Sequence, residues 1–215
     1  MDAARLIVAL DSDHIGRMDG LAGVLHECLG IGFFKLGVSA LMRPGGLALA
    51  EGIANKPGMS LFLDLKLHDT RDTVTRAVSR AFDIGARFVT VNADPRVMEA
   101  AMRAKTNDDE CKILAVSHLS DDATSFSSSE LRYAFSVADG AICSGSMIEY
   151  AREWIDKEKL IVAPGIRPHA DEDGAHAYPM TPSGALQYGA DYLVVGRPIW
   201  QSENPIAAAQ AMLSA

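Results

Sequence analysis

The sequence has few cysteines, and none of them are paired. Cys28, Cys111 and Cys143 are the three cysteines among 215 residues, and none belongs to a CxxC pair. An odd, sparse set of this kind argues against a disulfide framework and against a structural zinc site. We therefore expect a protein of a reducing compartment, the cytoplasm.

Positive charge and long apolar runs are also scarce. The 20 Lys and Arg residues are outnumbered by 28 Asp and Glu, which gives a formal net charge of −8. Such a chain lacks the basic surface with which proteins bind nucleic acid or anionic membranes. The first apolar run, which follows Arg5, is too short for a signal peptide, and no window approaches the ~20 apolar residues of a membrane span. The expected partners therefore include neither nucleic acid nor a membrane.

Eight short apolar segments alternate with longer amphipathic ones. Most of the apolar segments are continuous, which is typical of strands buried on both faces of a parallel sheet. They cover residues 5–11, 32–37, 60–67, 87–93, 112–119, 140–145, 160–166 and 191–198. Apolar residues at spacings of three and four predict helices between them. The predicted helices cover residues 70–85, 95–105, 130–138, 147–159 and 181–189, and a last one begins at Pro205.

About eight strand–helix units in one chain predict an α/β fold, a single (β/α)8 TIM barrel over residues 1–215. The alternative is an open, doubly wound parallel sheet. That fold normally carries a GxGxxG turn after an early strand, and the sequence has no such turn. In a (β/α)8 barrel, functional groups lie at the carboxyl ends of the strands, so polar residues at these points are the candidates.

The strongest candidates lie at the carboxyl end of the third predicted strand, in the segment LDLKLHD. Asp64 and Lys66 are two residues apart, so a strand projects both to one face, opposite the intervening leucines. Burying a carboxylate with an ammonium has a desolvation penalty of several kcal/mol, which favours a functional role. An ion pair that only braces the barrel remains the alternative. Asp11, Lys35 and Asp69, at neighbouring strand ends, extend the pair into an array of alternating charge.

Two arginines follow the last two predicted strands, Arg167 in PGIRP and Arg197 in GRP. The loops after strands seven and eight of such barrels often bind phosphate. Glycine lets the backbone approach an anion closely, and arginine offers a fixed fork of donors that matches phosphate oxygens. The pattern predicts a phosphorylated small-molecule substrate. The polar stretch 168–179 between the two arginines is long enough to cover it as a lid.

Taken together, these motifs resemble the orotidine 5′-monophosphate decarboxylase family, in the family's motif order and over essentially the whole chain. The DxKxxD element alone is shared by a wider group of phosphate-binding barrels, whereas its combination with Lys35, PGIR and VGRPI points to the decarboxylases. The motifs are LIVALD at Asp11, FFKLG at Lys35, DxKxxD at 64–69 with Thr73, PGIRP at Arg167 and DYLVVGRPI at Arg197.

The resemblance implies a homodimeric barrel that removes CO2 from orotidylate, giving uridylate, with no metal and no organic cofactor. Lys35, Asp64 and Lys66 are expected from one subunit, and Asp69 with Thr73 from the other. Lys66 is expected to stabilise the carbanion that forms at C6 and then to protonate it. The carboxylates of Asp64 and Asp69 are expected on either side of Lys66.

The resemblance also implies the contacts that bind the nucleotide. Asp11 and Lys35 are expected at the ribose hydroxyls and Ser120 at the pyrimidine ring. Arg197, with the backbone of Gly196, is expected to hold the phosphate.

One position departs from the family's pattern. The family usually has a glutamine nine residues after the arginine of PGIRP, where it bridges the pyrimidine and the phosphate. Counting from Arg167 leads to His176. An imidazole lacks the donor and acceptor that one planar amide offers together, so His176 is an imperfect substitute or the loop aligns differently.

Two rival functions remain at this stage. The first is that of a magnesium-dependent relative, which decarboxylates a 3-keto sugar acid phosphate or catalyses a related aldol reaction. Such relatives have a glutamate metal ligand where this chain has Lys35, and a cation there opposes a metal ion. The second is a catalytically silent phosphate-binding barrel, which the intact Asp64, Lys66 and Asp69 argue against.

Overall fold

The eight predicted strands form a closed barrel of parallel strands. The computed structural model describes residues 1–105, 110–116, 128–145, 147–168 and 180–215. β1 pairs with both β2 and β8, so the barrel prediction is confirmed and the open-sheet alternative is wrong. The strands are β1 (Leu6–Ala9), β2 (Phe33–Gly37), β3 (Ser60–Leu67), β4 (Ala86–Asn92), β5 (Lys112–Val116), β6 (Gly140–Ile142), β7 (Leu160–Ala163) and β8 (Tyr192–Val195).

Helices follow the strands and cover the outside of the barrel. They are α1 (Ile15–Leu29), α2 (Val38–Leu41), α3 (Gly46–Asn55), α4 (Arg71–Asp83), α5 (Pro95–Ala104), α6 (Ser128–Val137), α7 (Met147–Trp154), α8 (Pro182–Gln187), α9 (Arg197–Trp200) and α10 (Pro205–Ser214). The predicted helices are found, although α7 ends five residues before its predicted end. Thr70 caps α4 and Asn204 caps α10, each by accepting a backbone hydrogen bond in the first turn.

The sequence pattern did not predict α1 or α3, nor the four-residue helices α2 and α9. Three of the 15 residues of α1 are glycines, each of which lowers helix propensity by about 1 kcal/mol relative to alanine and obscures the pattern. Packing outweighs propensity here, since Met18, Ala22 and Leu25 form a buried face at helical spacing.

Alternate side chains of the strands belong to two separate cores. One face packs against the helices, and the other fills the barrel. The inner core consists of Ile7, Ala9, Phe33, Phe62, Phe88, Leu114, Val162 and Val194. Its aromatic rings contact one another and Tyr192, with centroids 4.8 to 5.8 Å apart. This layer forms the floor beneath the mouth of the barrel, and residues two positions further along each strand point into the mouth.

Several strands end two or three residues earlier than predicted. The apolar sequence continues past the hydrogen-bonded ladder, as at Leu10, whose N–H still donates to the Lys35 carbonyl. Asp11 and Arg167 consequently lie on loops, and Arg197 opens α9. In the described part of the chain no helix is long and apolar enough to cross a bilayer.

Candidate active site

A row of alternating charges crosses the mouth of the barrel from β1 to β3. The Lys35 ammonium lies 2.9 Å from Asp11 Oδ2 and 3.1 Å from Asp64 Oδ2. On its other side, Asp64 Oδ1 lies 2.7 Å from Lys66 Nζ. Asp11, Lys35 and Asp64 are each two residues beyond an inner-core residue of their strand, so the alternation of the strands brings them into one layer. Four of the predicted site residues therefore form one connected network.

The two central groups of this row, the buried Lys35 and the largely buried Asp64, are charged. Burial alone lowers the pKa of Lys35, but the attraction of Asp64 and Asp11 outweighs it and raises the pKa above the usual 10.5. Burial likewise raises the pKa of Asp64, and the attraction of Lys35 and Lys66 outweighs it, so the pKa lies below the usual 3.8. Both groups therefore keep their charge throughout the neutral range. The side chain of Lys66, by contrast, is 38% exposed and can reach a ligand in the mouth.

Asp11 is held at both of its carboxylate oxygens. Oδ2 pairs with Lys35, and Oδ1 accepts a hydrogen bond from the N–H of Gly37 at 3.2 Å. A Cβ at position 37 would lie 3.1 Å from Asp11 Oδ1, a tight contact, so the absence of a side chain at Gly37 makes room for the carboxylate. Because the Asp11 side chain is 36% exposed, its remaining lone pairs are open to a ligand.

β3 is irregular at the point where it presents Lys66. Leu63 pairs with Val89 and Leu67 pairs with Val91, so three residues of β3 lie opposite one residue of β4. Lys66 lies within this bulge and has φ +48°, in the left-handed region. The predicted regular alternation through this segment is therefore wrong, although its conclusion, that Asp64 and Lys66 lie together, agrees with the structure.

The residue of β4 opposite this bulge is Thr90, which was not among the residues predicted from the sequence. Its Oγ1 accepts a hydrogen bond from the backbone N–H of Lys66 and donates one to Asp64 Oδ1, each at 2.9 Å. Thr90 is fully buried. The signal that could have identified it is a hydroxyl in the otherwise apolar segment RFVTVNA, two residues beyond the inner-core Phe88.

Asp69 and Thr73 do not join this row in the single chain. Asp69 Oδ1 accepts a hydrogen bond from Thr70 N at 2.6 Å, and the hydroxyls of Thr70 and Thr73 lie 3.0 Å apart. Within the described ranges no hydrogen bond or ion pair connects Asp69 to Asp64 or Lys66. A cavity of about 400 Å³ opens beside Asp69, with Arg96 among the residues that line it.

The two predicted phosphate arginines differ in their surroundings. Arg197 is exposed and directly follows Gly196, which precedes the first turn of α9. Arg167 is 5% exposed, its guanidinium donates to the Ile166 carbonyl at 3.0 Å, and its backbone N–H donates to Met180. Arg197 is therefore the more accessible of the two to an anion.

Two predicted site residues cannot be placed. Ser120 and His176 lie outside the described residues. Across the residues that are described, no three His, Cys, Asp or Glu side chains come together in a group that could hold a metal ion.

The model of the orotidine 5′-phosphate decarboxylase / HUMPS family matches residues 4–212. The chain belongs to this family. An orotidine 5′-phosphate decarboxylase of Methylobacterium radiotolerans is 39% identical over 227 residues, which are 98% of this chain and 95% of the relative. One of Rhodopseudomonas palustris is 37% identical over 231 residues, which are 99% and 94% of the two chains.

Solved structures agree with this assignment. The crystal structure of orotidine 5′-phosphate decarboxylase from Lactobacillus acidophilus has a TM-score of 0.80 and 28% identity, and the match covers 98% of each chain. As a member of the decarboxylase family, the chain is an enzyme of the lyase class. The charged row at the barrel mouth is therefore the candidate active site of this enzyme.

Proposed function

We propose that this protein decarboxylates orotidine 5′-monophosphate to uridine 5′-monophosphate, a step of pyrimidine biosynthesis, without a metal ion or an organic cofactor. The observation that carries the proposal is the connected row from Asp11 through Lys35 and Asp64 to Lys66 at the mouth of the barrel. It presents one partly exposed ammonium beside a largely buried, ionised carboxylate, and a decarboxylation can use this combination.

In the proposed reaction the bond between C6 and the carboxylate breaks, and its electron pair stays on C6 as CO2 leaves. The Lys66 ammonium then gives one proton to C6, becomes a neutral amine and regains a proton from solvent. No electron sink adjoins C6, so the uncatalysed barrier is very high, and enzymes lower such barriers by up to about 23 kcal/mol. Fixed charges and exact placement must supply this stabilisation.

Asp64 has two roles in this proposal. It holds the Lys66 ammonium at 2.7 Å, so that the cation is already in place when negative charge develops at C6. It also puts a negative charge close to the substrate carboxylate, which favours loss of that carboxylate as neutral CO2. Lys35, paired on the other side, keeps Asp64 ionised and oriented.

The remaining predicted residues bind the nucleotide in the proposal. Asp11 and Lys35 bind the ribose hydroxyls, and the held but accessible carboxylate of Asp11 supports this. Arg197 and the Gly196 backbone hold the phosphate, with Arg167 at the same end of the barrel. Phosphate binding is remote from C6, yet its binding energy can hold the ring in an electrostatically unfavourable pocket. Ser120 is assigned to the pyrimidine ring, and His176 to the place of the family's glutamine, between the pyrimidine and the phosphate.

The proposed active unit is a homodimer in the cytoplasm. Asp69 and Thr73 of each subunit complete the site of the other, which accords with the absence, in the described part of one chain, of any bond from Asp69 to the row. The sparse, unpaired cysteines of the sequence support a reducing compartment.

The position of Lys35 supports the metal-free reaction over the magnesium-dependent rival. Its ammonium lies within 3.1 Å of both Asp11 and Asp64. A divalent cation that used the same carboxylates would face this positive charge at close range, and the resulting repulsion opposes its binding.

The test is direct. Purified protein is incubated with orotidylate, and the loss of its ultraviolet absorbance is followed with and without a chelator. We expect turnover at the same rate in both samples. Activity that disappears with the chelator and returns with Mg²⁺ would favour the rival, and absence of turnover in both would refute the substrate assignment.

Replacing Gly37 with alanine is expected to weaken substrate binding. The new Cβ, 3.1 Å from Asp11 Oδ1, must displace the carboxylate by a few tenths of an ångström, which disturbs its contacts with ribose. We expect a roughly tenfold rise in KM and a smaller change in kcat, measured by steady-state kinetics. Gly52→Ala is the matched control, because a Cβ there meets nothing within 4 Å. An unchanged KM in Gly37→Ala would contradict the role given to Asp11.

A further inference from the structure

We propose that Thr90 is a positioning residue for Lys66: its hydroxyl holds the lysine backbone in the left-handed bulge from which the ammonium reaches Asp64. The inference rests on the proposed function, in which Lys66 protonates C6. It concerns a residue that touches neither C6 nor the phosphate, and acts through the two residues to which it is bonded.

The Thr90 hydroxyl makes two hydrogen bonds, one to each of the residues that it is proposed to position. Its single proton goes to Asp64 Oδ1, and a lone pair accepts the backbone N–H of Lys66. Asp64 Oδ1 in turn contacts the Lys66 ammonium. Lys66 is thus fixed at both ends, its backbone by Thr90 directly and its ammonium by an oxygen that Thr90 also orients. Since Thr90 is fully buried, water cannot take over either bond.

The backbone of Lys66 needs such support. Among the described residues it is the one non-glycine residue with positive φ. L-residues disfavour this region for steric reasons, and the bulge also removes the Lys66 N–H from the regular ladder between β3 and β4. Thr90 replaces the lost ladder partner with its side chain. Without the hydroxyl, the partly buried N–H of the strained residue loses its partner and the backbone relaxes, which moves the ammonium away from Asp64.

Because of this geometry, removal of the Thr90 hydroxyl should affect the chemical step and substrate binding to different extents. Thr90 is bonded to Asp64 and Lys66, whereas the proposed ribose and phosphate contacts lie after β1, on β2 and after β8. Loss of the hydroxyl should therefore lower kcat and leave KM nearly constant. If Thr90 only stabilised the fold, its replacement would lower the unfolding temperature without lowering kcat selectively at constant KM.

The experiment compares three variants by steady-state kinetics with orotidylate and by affinity for uridylate. Thr90→Val keeps the shape and removes the hydroxyl, and we expect a drop of about 100-fold in kcat with KM and uridylate affinity within about threefold of the wild type. Thr90→Ser restores the hydroxyl and should recover kcat to within about fivefold. Thr75→Val removes another threonine hydroxyl bond, to the Ala100 carbonyl, and should leave kcat unchanged.

Retention of kcat in Thr90→Val, or a serine variant as slow as the valine variant, would overturn the assignment. If Thr90→Val does not fold, Thr90→Ala takes its place as the hydroxyl-free variant. Hydrogen exchange at the Lys66 amide gives a readout independent of activity: protection should be lost in Thr90→Val and kept in Thr90→Ser. A wild type that does not consume orotidylate refutes the proposed function, while the exchange measurement still decides whether Thr90 holds Lys66.

Discussion

Lys66→Ala is expected to abolish turnover while the protein still binds uridylate. The substitution removes both the cation that faces the developing charge at C6 and the proton that C6 receives. General acid catalysis and electrostatic stabilisation together are large terms, so we expect kcat to fall by about 10⁴-fold or more. The proposed ribose and phosphate contacts do not involve Lys66, so the affinity for uridylate should change by less than about tenfold.

The measurement is kcat for orotidylate decarboxylation, together with the dissociation constant for uridylate by calorimetry. Lys157→Ala is the control, because Lys157 is exposed in the turn before β7 and should be replaceable without effect. Near-normal activity in Lys66→Ala, with the control also active, would show that the row of charges is a structural brace and that the catalytic group lies elsewhere.

Lys66 itself illustrates how far the sequence alone can predict this site. The spacing of Asp64 and Lys66 indicated that the two side chains lie together, and their 2.7 Å contact agrees, although a bulge replaces the regular alternation on which the prediction rested. The left-handed φ of Lys66 could not be predicted from local sequence spacing. It arises because three residues of β3 lie opposite one of β4, and such a register depends on a pairing between distant segments.

Thr90 was missed for a related reason. One threonine in an apolar strand is compatible with an ordinary β position, since β-branched residues favour strands. Its hydrogen bonds to Asp64 and Lys66 depend on the register between β3 and β4, which puts Thr90 opposite the bulge. The barrel, in contrast, was predictable from the alternation of apolar and amphipathic segments, and closure only required β1 to meet β8. Three members of the charged row, Asp11, Lys35 and Asp64, were predictable because each lies two residues beyond an apolar inner-core position.

Asp69 is a predicted site residue that, among the described residues of one chain, has no hydrogen bond or ion pair with Asp64 or Lys66, and this leads to the second large effect. Lys66→Ala and Asp69→Ala proteins are each expected to be inactive. Mixing them under conditions of subunit exchange should restore activity, because a hybrid dimer has one site with both native residues. Random reassortment makes about a quarter of all sites intact, which is the expected upper limit of recovery relative to the wild type.

The matched control mixes Lys66→Ala with Asp64→Ala. Lys66 and Asp64 belong to the same chain and are bonded at 2.7 Å, so both sites of that hybrid lack a native residue and no activity should return. Recovery in the first mixture and none in the second would assign Asp69 to the neighbouring subunit's site. If the first mixture stays inactive although mass spectrometry shows that hybrid dimers have formed, Asp69 does not act across the interface. Recovery in both mixtures would show instead that the row itself is assembled from two chains, contrary to the connected network of Asp11, Lys35, Asp64 and Lys66.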